Sequence, residues 1–473
     1  MDKIKFGTDG WRAVIAKDFT IANVAKVANA TALWLTKRYK NPSAVLGYDC
    51  RFGGEMFMEA VAKIFASKGI RVYVPERFVT TPMVSLGVVK LKARCGVVIT
   101  ASHNPAEYNG YKLKGEHGGP LLEKDLRDVE YLITNDYDID LELLNWNSML
   151  EQGLIQYIDL ETIYLKHIHD HFDVEAISTS DFKFGFDAMY GAGQNIMKKL
   201  LPDIKLFHCE VNPTFKGIPP EPLHKNLHEL SEYIWKNKNI DCALAVDGDA
   251  DRIALYDAEG NYIDSHHIIL LLIHYMAHYK KLSGKVVTGF SSTTKVEKLC
   301  KHYGLEVQRV KIGFKEISQV MLNNEVLVGG EESGGITIGT HIPERDGIWM
   351  GLTIWQWMTE TGKSLRELID EIYAITGTFA YERSDLKLDK QGRSKVMEKC
   401  KNGELIQFGN FKVQRIESID GYKFFFNENE WLMIRSSGTE PLLRTYAEAE
   451  NIDLVKDILS AGYDVIQLLS TQD

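Results

Sequence analysis

Helix-length and strand-length segments alternate along most of this chain, and the alternation constrains its fold more than any other feature. The first part of the chain predicts helices over 21–37 and 56–67, with strands over 44–48, 70–74 and 96–99. Further strand patterns follow over 182–187, 242–246, 285–289 and 326–329. Strands separated by helix-length segments predict βαβ units and mostly parallel sheets.

Three interruptions of this rhythm divide the chain. Its 473 residues exceed what one hydrophobic core usually supports, so several domains are expected. A polar, acidic stretch lies around 135–152, a turn cluster lies at 258–261, and short strands replace the earlier rhythm from about 379. The predicted domains are 1–145, 146–258, 259–376 and 377–473. The first three are predicted to be α/β domains with mostly parallel mixed sheets, and the last a smaller α+β domain.

Charge and cysteine usage narrow the class of protein. Lys and Arg number 55 against 65 Asp and Glu, a net charge of -10, which disfavours a nucleic-acid partner. The six cysteines are scattered without a C-x-x-C pair, as in a cytoplasmic protein with reduced thiols. The start of the chain lacks the pattern of a signal peptide, and the longest apolar run, 268–273, is short of the ~20 residues that span a bilayer. We therefore expect a cytoplasmic protein with no membrane partner.

A predicted strand runs directly into a cluster of polar residues in GVVITASHNP, residues 96–105. Ser102 and His103 follow the buried run, and Asn104-Pro105 turns the chain. The glycines of a G-x-S-x-G elbow are missing, which removes the best support for a hydrolase. From these residues alone Ser102 is a cap, a ligand contact or a nucleophile.

Three aspartates at alternate positions follow another buried strand, in AVDGDADR, residues 245–252. Asp247, Asp249 and Asp251 repel one another unless a cation neutralises them, and carboxylate oxygens are ligands that Mg²⁺ prefers. Arg252 and Ala258 stand where an EF-hand loop needs glycine and glutamate, so that loop type is excluded. The alternative is a solvated acidic turn.

Two other loops carry groups suited to a sugar phosphate. GGEESGG at 329–335 offers Glu331 and Ser333 for sugar hydroxyls, although a flexible loop would have the same composition. RSSGTEPLLR at 435–444 combines hydroxyls, a glycine and two arginines as a phosphate cradle, or is a structural turn. FGTDGWR at 6–12, which ends in Arg12, is open to the same two interpretations.

Histidines 167, 169 and 171 have the spacing of a metal cluster at first sight. On the predicted helix His169 points away from the other two, because residues two apart do not share a helical face. We therefore expect surface histidines here.

FGTDGWR, TASHNP, DGDADR, GEESGG and RSSGTEP, in this order and over essentially the full length, resemble the motifs of the α-D-phosphohexomutase superfamily, the phosphoglucomutase and phosphomannomutase enzymes. The resemblance implies three related α/β domains and a smaller C-terminal domain around a central cleft. It implies that Ser102 carries the transferable phosphate. It also implies Mg²⁺, with the ligands Ser102, Asp247, Asp249 and Asp251, and a hexose 1,6-bisphosphate as activator and intermediate.

The resemblance also assigns roles to individual residues. Arg12 and Arg252 match arginines near the reacting centre, Lys112 matches a lysine proposed to assist proton transfer, and His103 could share that role. Glu331, Ser333 and Lys315 would contact the sugar phosphate. The non-reacting phosphate would be held by Arg435, Ser437, Gly438, Thr439 and Arg444.

The expected substrate is glucose phosphate, with mannose phosphate as a possible second. Gly335 ends the loop at 329–335, the sugar loop, where typical phosphomannomutases and phosphoglucosamine mutases have a histidine. Three other features are closer to the glucose branch: Glu-Glu-Ser in the same loop, Gly313-Phe314-Lys315, and HIPERDG at 341–347. Since RSSGTEP also occurs in phosphoglucosamine mutases, that activity is the alternative. Partners are expected to be small phosphosugars only, with the enzyme a monomer or homodimer.

Two alternative hypotheses assign the chain to other classes of protein. An aspartyl phosphatase of the haloacid dehalogenase type would use Asp247 as nucleophile, although Asp251 stands where that motif wants threonine or valine. A phosphosugar sensor would bind in the cleft without turnover. Replacing Ser102 by alanine would abolish isomerisation by a mutase, but it would spare hydrolysis by the phosphatase and binding by the sensor.

Overall fold

A computed structural model of the chain describes residues 4–134, 140–437 and 442–471. The described chain divides into two compact units. The first runs to Lys285 and includes Gly313–Leu368, and the second comprises Val286–Ile312 and the residues from Ile369 onward. Within the described ranges, none of the helices is long and apolar enough to cross a membrane.

The first domain is built on a six-stranded mixed sheet. The strand order is β1-β5-β4-β2-β3-β6. The β2–β4, β2–β3 and β3–β6 pairs are parallel, whereas β5 is antiparallel to both β1 and β4. Its elements are β1 (Trp11–Val14), α1 (Ile21–Arg38), β2 (Ser43–Tyr48), α2 (Gly54–Ser67), β3 (Arg71–Val74), α3 (Thr81–Lys90), β4 (Cys95–Ile99), β5 (Tyr108–Gly115), α4 (Glu123–Leu132), α5 (Trp146–Glu151) and β6 (Ile155–Tyr157).

The last strand of this sheet lies beyond the predicted boundary at residue 145. Strand β6 pairs with β3, and Ile155 is buried in the same core as Val72. The polar stretch around 135–152 therefore precedes the final strand of the first sheet rather than ending it. Residues 135–139, at the start of that stretch, lie outside the described residues.

The second domain has a five-stranded sheet of order β11-β10-β9-β7-β8. Strand β7 is parallel to β8 and β9, and β10 is antiparallel to β9 and β11. Its elements are α6 (Leu160–His169), α7 (Val174–Thr179), β7 (Phe184–Asp187), α8 (Gln194–Leu200), β8 (Lys205–Phe207), α9 (His228–Asn237), β9 (Cys242–Val246), β10 (Ile253–Asp257) and β11 (Tyr262–Ile263).

The third α/β segment contributes to both units. In the first unit β14 and β15 form an antiparallel pair, and in the second unit β12 and β13 pair in parallel from Val286 onward. The elements are α10 (Ser265–His274), β12 (Lys285–Gly289), α11 (Lys295–Tyr303), β13 (Val307–Val310), α12 (Phe314–Met321), β14 (Val326–Gly330), β15 (Ile336–Ile338), α13 (Gly347–Thr361) and α14 (Leu365–Thr376).

The C-terminal domain is smaller, and its main sheet is antiparallel, in the order β16-β22-β21-β20-β19. A separate two-stranded hairpin pairs β17 with β18. The elements are β16 (Ala380–Lys387), α15 (Lys390–Lys401), β17 (Gln407–Phe408), β18 (Phe411–Lys412), β19 (Arg415–Glu417), β20 (Tyr422–Phe425), β21 (Trp431–Ser436), β22 (Leu442–Ala449) and α16 (Ile452–Thr471). The predicted class, α/β domains with mixed sheets and a smaller C-terminal domain, is confirmed.

Two local predictions differ from the structure. The helix predicted over 268–279 is α-helical only to His274, and Tyr275–Tyr279 form a π-helical turn. The prediction of surface histidines is wrong for His167, which is buried with its ring stacked on Trp349. His169 and His171 are exposed, as expected.

Candidate active site

Strand β4 delivers Ser102 to the end of a buried loop. The serine is fully buried and has a positive φ of 53°, a conformation that non-glycine residues rarely adopt. Its backbone N–H donates to Thr100 Oγ1 at 2.9 Å. Its hydroxyl donates to Asp247 Oδ2 at 2.6 Å and lies 3.3 Å from His103 Nδ1. The strained serine is therefore aimed at the acidic loop that follows β9.

Arg51 holds the backbone of the loop that carries Ser102, the serine loop (residues 100–108). The sequence analysis did not identify this role. Its guanidinium donates to the carbonyls of Ser102 and Asn104 at 2.6 Å, of Pro105 at 2.8 Å and of Tyr108 at 3.1 Å. Asp49 pairs with Arg51 at 3.2 Å, and neither side chain is exposed. The signal was present in the sequence, because Asp49 and Arg51 follow buried strand β2 just as Ser102 follows β4.

The acidic loop meets the serine loop at close range. A Cβ atom at Gly248 would lie 2.5 Å from the carbonyl oxygen of Ser102, so the loop needs glycine at this point. Asp247, Asp249 and Asp251 are all fully buried, and one carboxylate oxygen from each lies within 4.8 Å of the others. The alternative of a solvated acidic turn is therefore wrong.

The three aspartates are oriented by fixed donors. Asp247 Oδ1 accepts from the backbone N–H groups of Asp251 and Arg252, at 2.9 and 3.1 Å. Asp249 Oδ2 accepts from Thr81 Oγ1 at 2.5 Å and from Lys112 Nζ at 2.8 Å. In Asp249 and in Asp251 the other oxygen, Oδ1, is buried and has no hydrogen-bond partner in the part of the chain that the structure describes.

These unpartnered oxygens fit a divalent cation. Buried carboxylate oxygens normally have a partner, and their loss of hydration is costly unless a charge compensates it. Burial, together with Asp249 and Asp251, raises the pKa of Asp247 well above its usual value. A cation among the three oxygens would reverse that shift.

Lys112 lies on β5 beside the aspartates. Its Nζ is 2.8 Å from carboxylate oxygens of Asp9, Asp249 and Asp251. Burial alone would lower the pKa of Lys112, but the three carboxylates outweigh burial and raise the pKa well above its usual value. The ammonium is therefore held charged, and in this arrangement it is suited to stabilise negative charge rather than to act as a base.

Asp9 and Arg345 complete the charged network, and neither was singled out from the sequence. Arg345 Nη2 lies 2.6 Å from Asp9 Oδ2 and 2.7 Å from Asp251 Oδ2. Burial opposes the charge of Arg345, but Asp251 and Asp9 raise its pKa well above the usual value. No local pattern could have found this pair, because its members are 336 positions apart in the chain.

The two arginines expected near the reacting centre both lie near the serine loop. Arg12 donates to Asn104 Oδ1 at 2.8 Å and to Asp9 Oδ2 at 3.3 Å. Arg252 pairs with Glu221 at 3.4 Å. Burial, with Arg252 and Arg12 nearby, lowers the pKa of His103 well below its usual value, so this imidazole is neutral.

The backbone of the sugar loop, residues 329–335, contacts the backbone of the acidic loop, residues 245–252. Gly335 forms an isolated antiparallel bridge with Arg252, and Gly334 accepts from the Ile253 N–H at 3.1 Å. Glu331 is buried and accepts from the Gly313 N–H at 2.7 Å, and burial raises its pKa to about 7. Ser333 is partly buried in the turn that follows.

Lys315 lies in the first turn of α12 and forms an ion pair with Glu123 at the start of α4. Its ammonium is therefore held by a carboxylate on the first domain. A phosphosugar that uses Lys315 has to compete with Glu123 for it.

The predicted phosphate loop belongs to the second compact unit. Arg435 on β21 faces Arg444 on β22, and each lies near an acid: Asp420 at 3.1 Å and Asp385 at 3.8 Å. Ser437 is buried, and its N–H donates to the Leu442 carbonyl at 3.0 Å. Gly438 and Thr439 lie outside the described residues.

Comparisons with known proteins assign most of the chain to one family. The four domains of phosphoglucomutase/phosphomannomutase match in order. Alpha/beta/alpha domain I matches 3–139, domain II 162–260, domain III 264–375 and the C-terminal domain 392–462.

Individual relatives are similar over nearly their full length. A phosphoglucomutase/phosphomannomutase of Thermococcus kodakarensis is 30% identical over 98% of both chains. A phosphoglucosamine mutase of Limosilactobacillus fermentum is 30% identical over 97% of both. The crystal structure of a putative phosphomannomutase from Thermus thermophilus superposes with a TM-score of 0.86 at 30% identity, over 98% of this chain and 99% of that one.

The domain matches cover well over half of the chain, and the relatives are phosphohexomutases. The resemblance drawn from the five motifs is therefore confirmed. The chain belongs to the phosphoglucomutase/phosphomannomutase family and is a phosphohexomutase, an isomerase that moves a phosphoryl group within a sugar phosphate.

Proposed function

We propose that the enzyme interconverts glucose 1-phosphate and glucose 6-phosphate through a phosphorylated Ser102 and a bound glucose 1,6-bisphosphate, with mannose phosphates as second substrates. The observation that carries the proposal is the 2.6 Å hydrogen bond from the Ser102 hydroxyl to Asp247 in the buried acidic cluster. It brings a nucleophile, three carboxylates and the cationic Lys112 to one point.

Charge determines which form of the serine this site can hold. A phosphoserine carries about -1.5 to -2 charges at neutral pH. Beside three aspartates it needs more positive charge than Lys112 and Arg345 supply. Mg²⁺, held by Asp247, Asp249, Asp251 and the modified Ser102, would neutralise the phosphoryl oxygens and withdraw charge as the group moves.

The cycle consists of two transfers. In the first, the O–P bond of phospho-Ser102 breaks as the free hydroxyl oxygen of the hexose phosphate bonds to phosphorus, which gives the bisphosphate and a free serine. After the sugar turns around, its other phosphoryl group returns to the Ser102 oxygen. Positioning and electrostatic stabilisation supply most of the rate in such transfers.

Each transfer also moves a proton. In the first transfer the hydroxyl proton of the sugar would pass to neutral His103, 3.3 Å from Ser102 Oγ, and then to the departing serine oxygen. In the return transfer the serine proton would pass to His103 and then to the departing sugar oxygen. Lys112, held as an ammonium, would donate a hydrogen bond to the serine oxygen and stabilise it as it leaves. Arg12 and Arg252 would flank the transferring group.

Glu331 and Ser333 would hold the same sugar hydroxyls in both orientations of the bisphosphate. Their loop is tied to Arg252 at Gly335, so it keeps a fixed distance from the phosphoryl centre. Lys315 would leave Glu123 for the substrate. Arg435, Ser437, Gly438, Thr439 and Arg444 would hold the phosphate that does not react.

Glucose is favoured over glucosamine by the sugar loop. Gly335 carries no side chain to contact the 2-substituent, and Glu331 is followed by a second acid, Glu332. Phosphoglucosamine mutase activity is the alternative, because a relative with that name is as similar to this chain as the phosphoglucomutase/phosphomannomutase is.

We place the enzyme in the cytoplasm, as a monomer or homodimer acting on small phosphosugars. All six cysteines are free thiols and five of them are buried. Reduced buried thiols are typical of a cytoplasmic environment.

Phosphorus NMR tests the substrate. The protein is supplied with Mg²⁺, a trace of the matching hexose 1,6-bisphosphate, and glucose, mannose or glucosamine 1-phosphate in separate samples. We expect the C1 phosphate signal to convert to C6 phosphate fastest with glucose. Fastest conversion of glucosamine 1-phosphate would overturn the glucose assignment, and release of inorganic phosphate alone would overturn the mutase cycle.

A further inference from the structure

Arg345 lies across the end of the sugar loop, in the space that a side chain at residue 335 would need. A Cβ atom built on Gly335 would overlap Cδ of Arg345 and lie 3.1 Å from its Cγ. The arginine is only 3% exposed, and its guanidinium also lies over the Phe314 ring at 5.3 Å. Neither side of this contact has room to move without breaking other interactions.

The backbone that carries Arg345 is fixed on both sides. Asp346 accepts from Tyr164 Oη at 2.8 Å, pairs with His341 at 3.0 Å and caps α13 by accepting from the Trp349 N–H at 3.0 Å. On the other side, Glu344 pairs with buried Lys114. The arginine therefore projects from a rigid turn.

The guanidinium connects three loops. One nitrogen contacts both Asp9 of the N-terminal loop and Asp251 of the acidic loop, while the stem packs on Gly335 of the sugar loop. With Lys112 it engages Asp251 Oδ2, whereas Asp251 Oδ1 is buried and has no hydrogen-bond partner among the described residues.

We propose that Arg345 is a positioning residue that sets the orientation of Asp251, and that residue 335 is glycine because the Arg345 stem occupies its side-chain space. The sugar loop and the acidic loop are then mechanically coupled, so a change at 335 acts on phosphoryl transfer through Arg345. This inference rests on the proposed function only for its effect on turnover. The contact itself is tested separately.

A double-mutant cycle in denaturant unfolding tests the contact. We expect Gly335→Ala to lower the midpoint of the first unfolding transition in the wild-type background and in Arg345→Met, which keeps the stem. In the Arg345→Ala background, which lacks the stem, Gly335→Ala should produce no further shift of the midpoint. An equal shift in all three backgrounds, or none in the wild type, would overturn the spatial claim.

Kinetics test the positioning claim. Misplacement of a reacting group by about 1 Å can cost roughly 100-fold, so we expect a fall of that order in kcat for Arg345→Met with little change in KM. Arg345→Lys should recover part of the loss, because it retains the charge beside Asp251. Arg94→Ala, which breaks an exposed pair with Glu116, is the control and should behave as wild type.

The outcomes separate the two proposals. Wild-type kcat in Arg345→Met, or a loss confined to KM, would overturn the positioning role while leaving the mutase cycle intact. A wild-type protein inactive on all three hexose phosphates would overturn the proposed function, and the unfolding cycle would still decide whether Arg345 and Gly335 share that space.

Discussion

The hydroxyl of Ser102 donates a 2.6 Å hydrogen bond to Oδ2 of Asp247. This contact joins two loops that are 145 positions apart in the chain, each following a buried strand. It places the proposed nucleophile at a carboxylate whose pKa is raised by burial and by Asp249 and Asp251. The proposed phosphoryl transfer depends on this contact.

Replacing Ser102 by alanine should abolish isomerisation while leaving the fold intact. Removal of a nucleophile typically costs about 10⁴-fold or more in kcat, and alanine fits the buried loop. The measurement is phosphorus NMR of glucose 1-phosphate conversion, with circular dichroism as the control for folding. Retained phosphate release would support the Asp247 phosphatase, and binding with no wild-type turnover would support a sensor.

Asp249→Asn should weaken divalent cation binding. The substitution removes one of three carboxylate charges and disturbs the oxygen oriented by Thr81 and Lys112. We expect at least a loss of roughly 10- to 100-fold, the range seen when groups around a metal are altered. Titration of metal-free protein with Mn²⁺, followed by electron paramagnetic resonance, measures it.

Asp170→Asn is the matched control for that measurement, since Asp170 pairs with Lys166 on the exposed end of α6. It should bind Mn²⁺ as the wild type does. Chelation should also remove activity, and added Mg²⁺ should restore it. Wild-type Mn²⁺ affinity in Asp249→Asn would show that the cation does not bind at the three aspartates.

Glu331 should give activity a pH dependence with an apparent pKa near 7. Burial raises its pKa to about 7, so the carboxylate that would accept from sugar hydroxyls is the main form only above this value. We expect kcat/KM to rise through pH 7 in the wild type. In Glu331→Gln only the titration of the substrate phosphate should remain, and an unchanged profile in that variant would refute the role of Glu331.

The same group has a thermodynamic signature. The folded protein retains a proton on Glu331 between the ordinary value of 4.5 and about 7, whereas the unfolded chain has lost it. Its contribution to stability is fully present below pH 4.5 and is lost as the pH rises to 7. The free energy of unfolding should therefore fall less over this interval in Glu331→Gln than in the wild type.

Arg51→Lys should lower kcat without changing cation binding. Lysine keeps the charge beside Asp49 but cannot reach the four carbonyls that the guanidinium contacts at 2.6 to 3.1 Å. We expect a loss of roughly 10- to 100-fold in kcat as the serine loop loosens. Arg94→Lys is the control. Wild-type kcat in Arg51→Lys would show that the serine loop keeps its shape without the guanidinium contacts.

The sequence predicted the elements that local patterns encode. The helix expected over 21–37 is α1, and the strands expected over 242–246 and 285–289 have those bounds in the structure. The serine, acidic and sugar loops each follow one of the expected strands. Such patterns are visible because buried strands are apolar runs that end abruptly in polar residues.

The charged network could not be predicted in the same way. Asp9, Lys112, Asp251 and Arg345 come from four separate segments, and no local pattern pairs them with one another. Only the tertiary structure shows that they are buried together. The first boundary shows a similar limit, since pairing between β3 and β6 joins segments on both sides of a polar stretch.

Transfer of an isotope label shows whether Ser102 carries the phosphoryl group. The protein is incubated with Mg²⁺ and ³²P-labelled glucose 1,6-bisphosphate, and the labelled peptide is identified after digestion. We expect label on the peptide containing Ser102, and its transfer to sugar when unlabelled glucose 1-phosphate is added. Label on the peptide containing Asp247, or release as inorganic phosphate without labelled Ser102, would contradict it.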